Sequence, residues 1–270
     1  MKIERLIIFF AILLLLHSCS SMYIPAVRSI PLLESKGEFQ GETGVSTNSV
    51  YVNASIAITD DIALSVNGNL SYRNFTNRYD IFTHKDDKNS SGWSTSDLRG
   101  KFAHRYGELS VGKINMLPVK ILMFEAFGGA GMGRATDIDY FRNNTRYKTD
   151  YYSLWGQGNF GIKTLIAEAG GSLRVVCSMF DYTANFYRES GESFFYQDKF
   201  GAFSFEPMIF ARVGSENLKA VFRIGLNLML PININKEDIA YYYRGFTDLG
   251  NLDYTVFHFS IGLSFRHRWK

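Results

Sequence analysis

From Leu218 to Leu230 the chain alternates without a break. Leu218, Ala220, Phe222, Ile224, Leu226, Leu228 and Leu230 fall on one parity, and Lys219, Val221, Arg223, Gly225, Asn227 and Met229 on the other. Period two sends successive side chains to opposite faces of a β-strand, so this segment presents one wholly apolar face and one mixed, polar face. Residues 62–72 repeat the pattern, with Ile62, Leu64, Val66, Leu70 and Tyr72 against Ala63, Ser65, Asn67, Asn69 and Ser71. The closing stretch does so again, with Phe257, Phe259, Ile261, Leu263 and Phe265 against His258, Ser260, Gly262, Ser264 and Arg266. Alternation predicts ten strands, at 37–46, 49–59, 62–74, 97–115, 119–135, 148–163, 165–183, 199–213, 217–231 and 253–267. Many exceed the mean strand of about 5–6 residues and reach the ~9–11 that a strand needs to cross a bilayer.

The connections sharpen this reading. Those at 60–61, 116–118, 164 and 214–216 are minimal, whereas 75–96, 184–198 and 232–252 are long, 136–147 is intermediate and 47–48 is short. Short turns at one end and long loops at the other match a membrane barrel with periplasmic turns and extracellular loops, and an even strand count returns the C-terminus to its starting side. The expected fold is therefore all-β: a transmembrane antiparallel up-and-down β-barrel of about ten strands. Composition agrees, with 16% aromatic residues and 24 Gly against 5 Pro. A mean hydropathy of -0.09 excludes a bundle of membrane helices but not a barrel, whose two faces average out. The competing arrangement is a soluble barrel or sandwich with the apolar set turned inward. One residue fits the membrane reading awkwardly. Arg105 shares parity with Leu109 and Val111, which leaves either a bulge near Gly107 that turns it inward or a place at the membrane interface.

The first residues read as an export signal. Lys2 and Arg5 precede an unbroken apolar run, Leu6–Leu16, too short to span a membrane as a helix but suited to a secretory leader. Leu16-His17-Ser18-Cys19 resembles the lipobox of bacterial lipoproteins, with His17 where a small residue is commoner. The resemblance implies cleavage after Ser18 and acylation of Cys19, and three acyl chains exceed what stable anchoring needs. The chain then divides into a lipoprotein signal peptide at 1–18, a lipidated N-terminal tether at 19–36 and an outer-membrane barrel at 37–270.

Several pieces together resemble the small outer-membrane β-barrel lipoproteins of Bacteroidota. They are Tyr23-Ile24-Pro25, Pro31–Glu38 leading into the first strand, FEAFGGAGMG at 124–133, FSFEPMIFARVG at 203–214, and FSIGLSFRHR at 259–268 followed by Trp269. The likeness spans most of the mature chain and implies architecture rather than an activity. The ending is also similar to the C-terminal signal read by the barrel-assembly machinery, although a basic tail runs past Phe265. Surface-exported lipoproteins of Bacteroidota typically carry an acidic cluster after the cysteine. Ser20-Ser21-Met22-Tyr23 has none, which implies a lipid facing the periplasm.

Catalytic constellations are not legible. An omptin-like protease would place paired aspartates and an Asp–His pair at the extracellular rim, but Asp60-Asp61 falls in a predicted periplasmic turn. His84, Asp86 and Asp87 sit in HKDDKNSSG, which reads as a solvated loop tip. His258 and Ser260 share a polar face without an evident third partner for nucleophilic catalysis. Gly128–Gly133 lacks the lysine and helix of a phosphate loop, and on a strand such glycines make room for bulky neighbours. Tyr241-Tyr242-Tyr243-Arg244 suits an aromatic belt, and Cys177, between Val175 and Met179, suits a lipid-facing thiol. The sequence implies no metal or cofactor, and a net charge of +3 without a basic stripe is no nucleic-acid signature.

The polar parity carries the remaining signal. Glu125, Glu168 and Glu206 fall in phase with Arg174, Arg212 and Arg223 on neighbouring strands. Ten strands lie nearer the side-chain-filled barrel than the water channel, so these six are expected to point inward and pair in one network. The leading functional expectation is a lipid-anchored barrel of the cell outer membrane with extracellular long loops and a structural or surface-interaction role. A narrow channel for ions or small solutes, and a barrel enzyme acting on lipid or peptide, are the alternatives. The expected partners are outer-membrane lipid and the barrel-assembly and lipoprotein-sorting machineries, with any extracellular ligand unspecified.

Overall fold

A computed structural model describes residues 23, 25–47, 49–71, 103–114, 122–139, 145–187, 193–232 and 257–269. Eleven β-segments account for most of them: β1 Glu38–Ser46, β2 Val50–Ala57, β3 Ile62–Leu70, β4 Ala103–Lys113, β5 Leu122–Asp139, β6 Thr145–Lys163, β7 Ala167–Tyr187, β8 Ser193–Gly214, β9 Leu218–Leu226, β10 Leu228–Ile232 and β11 Phe257–Arg268. Each pairs antiparallel with its sequence neighbour from β1 to β8. β8 then pairs with β9 and β10, β9 with β11, and β11 with β1. The ring closes. β9 and β10 continue one ladder on β8, from Met208↔Gly225 through Phe205↔Leu228, and are a single strand interrupted at Asn227. The fold is a closed, antiparallel, up-and-down barrel of ten strands, and closure removes the unpaired edges that an open sheet would expose.

The wall is apolar outside and polar inside. Leu109, Leu154, Leu230, Val52 and Ile209 are each more than 60% exposed, whereas Asn53, Asn67, Glu108, Arg174 and Ser260 are buried. On β6 the outward residues from Ile162 through Phe160 and Leu154 to Tyr152 are apolar or glycine, and Asp150, Lys148 and Arg146 follow. The ten steps of tilted strand from Tyr152 to Ile162 make an apolar band roughly 25 Å tall. On β7 the same boundary falls between Met179 and Asp181.

The strand ends that flank 58–61, 114–121, 164–166 and 215–217 lie at one end of the barrel, and those that flank 47–49, 71–102, 140–144, 188–192 and 233–256 at the other. The expected long loop at 184–198 is therefore corrected: β7 runs to Tyr187 and β8 starts at Ser193, so most of it is strand. The connection expected at 136–147 likewise shrinks to 140–144. Above the band the pattern inverts, with Asp181, Thr183 and Asn185 outward and Tyr182 and Ala184 inward, so the apolar parity switches while the backbone ladder persists. Arg105 is settled too. β4 pairs with β5 without interruption from Ala103↔Thr136 to Lys113↔Ala126, so no bulge occurs at Gly107. Arg105 points outward and pairs in register with Arg134, which is bound to Asp150 at the edge of the apolar band.

Candidate functional site

The most informative feature of the interior is the chain that fills it. Residues 25–33 lie inside the wall, all buried, with Arg28, Ile30, Leu32 and Leu33 wholly so. Pro25 and Pro31 and the absence of a period-two pattern keep this segment out of the sheet. A lone extended segment has no ladder partner, so its backbone polar groups need side chains. The wall supplies them in order. Gln157 Nε2 donates to the carbonyl of Ser29 (2.9 Å), Arg212 to that of Ile30, Arg266 Nη2 to that of Pro31 (2.9 Å), and Lys163 Nζ to that of Leu32 (3.0 Å). The next N–H, of Leu33, donates to Glu125 Oε1 at 2.8 Å. Leu32 takes a positive φ of 48°, a conformation that costs a non-glycine residue roughly 1–2 kcal/mol and persists where its surroundings hold it. At Gly37, φ 78°, the segment turns into β1, where a Cβ would meet the Trp269 carbonyl at 3.0 Å.

Carboxylates and cations then sort into two clusters. Towards the short-turn end, Glu168 receives Arg212 (2.8 Å), Lys219 (3.0 Å) and Arg266 (2.7 Å). Glu42 binds Arg223 and reaches Arg212 at 3.4 Å, and Glu38 takes Lys163 at 3.0 Å and Arg266 at 3.1 Å. Higher in the barrel, Arg174 binds Glu108 at 2.6 Å and lies 4.1 Å above the Trp155 ring. Glu206 takes Arg28 of the inner segment at 3.2 Å, Arg174 at 3.9 Å and the Tyr23 hydroxyl at 2.9 Å.

Glu125, Glu168, Glu206, Arg174, Arg212 and Arg223 all point inward and are buried, but the ion pairs among the described residues do not join them in one network. Arg212 meets Glu168 directly, whereas Arg174 and Glu206 belong to the upper cluster. Arg223 binds Glu42, and Glu125 accepts from Leu33 N and Asn159 Nδ2 (3.2 Å) rather than from a cation. The ion pairs among the described residues thus form two clusters, with Glu125 in neither, and the inner segment places its own cation, Arg28, and its own carbonyls among the wall's charges.

Above the upper cluster the lumen is aromatic. Tyr23 packs edge-on against Tyr151 (5.5 Å) and Phe180 (6.1 Å), and Phe180 stacks on Phe200 at 5.0 Å. The inward glycines of β5 make this possible. A Cβ on Gly131 would fall 2.2 Å from the Tyr106 hydroxyl, and one on Gly133 2.3 Å from the Tyr151 ring.

The other residues singled out from the sequence do not converge. His258 and Ser260 are inward and buried, but neither ring nitrogen nor the hydroxyl has a hydrogen-bond partner among the described residues. Asp60 and Asp61 occupy the β2–β3 turn, where Asp60 accepts from Lys36 N at 2.9 Å. Cys177 is outward and exposed. Cys19, His84, Asp86, Asp87 and Tyr241–Arg244 lie outside the described residues. No group of metal-ligating residues occurs among the described ones. Sequence reading missed the inner segment altogether. Its signal was an apolar run too water-averse for an exposed tether, carrying two prolines and no alternation.

Compared with known proteins, the chain matches no family model and no curated protein.

Proposed function

We propose that this chain is a lipid-anchored barrel of the bacterial outer membrane, closed to solutes, with a structural or surface-interaction role at its long-loop end. The carrying observation is the combination of an apolar exterior with a filled interior. An exposed apolar belt encircling the wall far exceeds the few hundred Å² that a soluble monomer tolerates, and its height of roughly 25 Å suits a bilayer. The interior is taken up by residues 25–33, with Arg174, Arg212, Arg223, Glu125 and Glu206 wholly or almost wholly buried around them. Outer-membrane lipid is then the solvent of the outer face. The barrel-assembly and lipoprotein-sorting machineries are the transient partners, and the cell surface is the location of the loops.

Single-channel recording on the full-length protein in planar bilayers tests this reading. The expected trace is flat at voltages where an open barrel of this size gives resolvable steps. Stable unitary conductance would promote the narrow-channel alternative. Surface accessibility of sites within 75–96 in intact cells tests the orientation separately.

A further inference from the structure

The inner segment has a direction. Its C-terminal end is fixed among the short turns: Lys36 N donates to Asp60 in the β2–β3 turn, Gly37 N to Ala57, and Trp269 N to the Gly37 carbonyl. Its N-terminal end is fixed at the opposite edge of the apolar band. Tyr23 packs against Tyr151 and Phe180, whose outward-facing neighbours Tyr152 and Met179 are the last apolar residues before Asp150 and Asp181. The segment therefore crosses the whole band inside the barrel, from the short-turn end to the long-loop end.

Cys19 lies four residues before Tyr23. Four residues reach roughly 14 Å at full extension, well short of a return through a band of roughly 25 Å. The way back is also blocked. The wall is closed by hydrogen-bonded strands, and the lumen beneath Tyr23 is occupied by residues 25–33. We propose that the chain leaves the barrel at the long-loop end, so that the acyl chains on Cys19 enter the outer leaflet, on the cell surface. This rests on the outer-membrane and lipobox readings above, and it reverses the periplasm-facing lipid implied by the missing acidic cluster. It also sets an order of assembly. A triacylated terminus does not pass through a packed lumen, so the strands close around the segment instead of the segment being pulled in afterwards.

The experiment inserts a site-specific protease sequence between Ser21 and Met22. Two reference proteins carry the same sequence within 75–96 and within the 215–217 turn, and all three are labelled metabolically with an alkynyl fatty acid. Protease is added to intact cells and to cells with a permeabilised outer membrane. Cleavage of the Ser21–Met22 site together with the 75–96 reference, with the acyl label separating from the barrel, is the expected result. Cleavage only together with the turn reference overturns the proposal, and so does resistance in both conditions. Failures of the underlying readings stay distinguishable. A wild-type chain that takes up no more label than Cys19→Ala removes the lipid, and with it the leaflet assignment. A 75–96 reference protected in intact cells removes the orientation. In either case the reference with which the Ser21–Met22 site groups still reports where the segment emerges. Should the insertion abolish the heat-modifiable mobility of a folded barrel, Met22→Cys in a Cys177→Ser background, probed with a membrane-impermeant maleimide against cysteines in the same two reference positions, gives the same two outcomes.

Discussion

The two ends of the lumen hold the same segment by opposite means. At the short-turn end the wall grips its backbone: Gln157, Arg212, Arg266 and Lys163 cap four successive carbonyls from Ser29 to Leu32. At the loop end the grip is on side chains, the Tyr23 ring set among Tyr151 and Phe180 with its hydroxyl on Glu206, and Arg28 paired with the same Glu206. The difference reflects what each level can offer. Lysines, arginines and glutamates low in the barrel need partners once desolvated, and a strand-less backbone needs donors, so each satisfies the other. Higher up the glycine face of β5 opens space that only rings fill. Binding at the lower end should therefore depend on wall charges, and at the upper end on the segment's own side chains, the Tyr23 ring above all.

Substitutions can break this contrast, and their expected costs fall in order. Arg212→Ala should be the most damaging, at about 3–5 kcal/mol, because it removes a wholly buried guanidinium that binds Glu168, Glu42 and the Ile30 carbonyl at once, even though Glu168 keeps Lys219 and Arg266. Denaturant unfolding of the barrel in detergent reads this directly, and a cost below that of a surface change would dissolve the lower grip. Tyr23→Ala should cost about 3 kcal/mol through lost ring contacts and the cavity left behind. It should also raise hydrogen exchange at residues 25–28 more than at 31–36, and a uniform rise along the segment would contradict two separate grips. Lys163→Met should cost about 1–2 kcal/mol, since Glu38 keeps Arg266 when the bond to the Leu32 carbonyl is lost. Glu125→Gln should be mildest, about 1 kcal/mol or less, because Glu125 answers an amide and an N–H rather than a cation. A loss comparable to that of Arg212→Ala would mean that Glu125 belongs to the ionic network after all.

Much of the wall was legible because one face of every strand is nearly pure. The run from Leu218 to Leu230 gives strand type and register parity at once, and Asn227 interrupts the strand only locally. Legibility failed where the outer face changes character. Above Asp150 and Asp181 the outward face becomes largely polar, and strand residues such as Asn185 and Gln197 then look like loop. The ionic pairing was half legible. Parity told which way Arg174 and Arg223 point, but neither parity nor spacing reveals that Arg28 stands between strands to claim Glu206. Tyr23–Lys36 was invisible as a plug because no periodicity marks a segment whose neighbours surround it on all sides.

The central claim, that this chain fills its own barrel, meets its most direct test in one engineered disulfide. Ser29 Oγ of the inner segment and Ser55 Oγ of β2 lie 2.9 Å apart, a spacing compatible with the Cβ separation that a disulfide requires. In a Cys177→Ser background, Ser29→Cys with Ser55→Cys is oxidised after folding and the cross-linked peptide quantified by mass spectrometry. Near-complete linkage of positions 29 and 55 in the folded barrel is the predicted result. Two free thiols that both take up maleimide would place the segment outside the lumen and contradict the account.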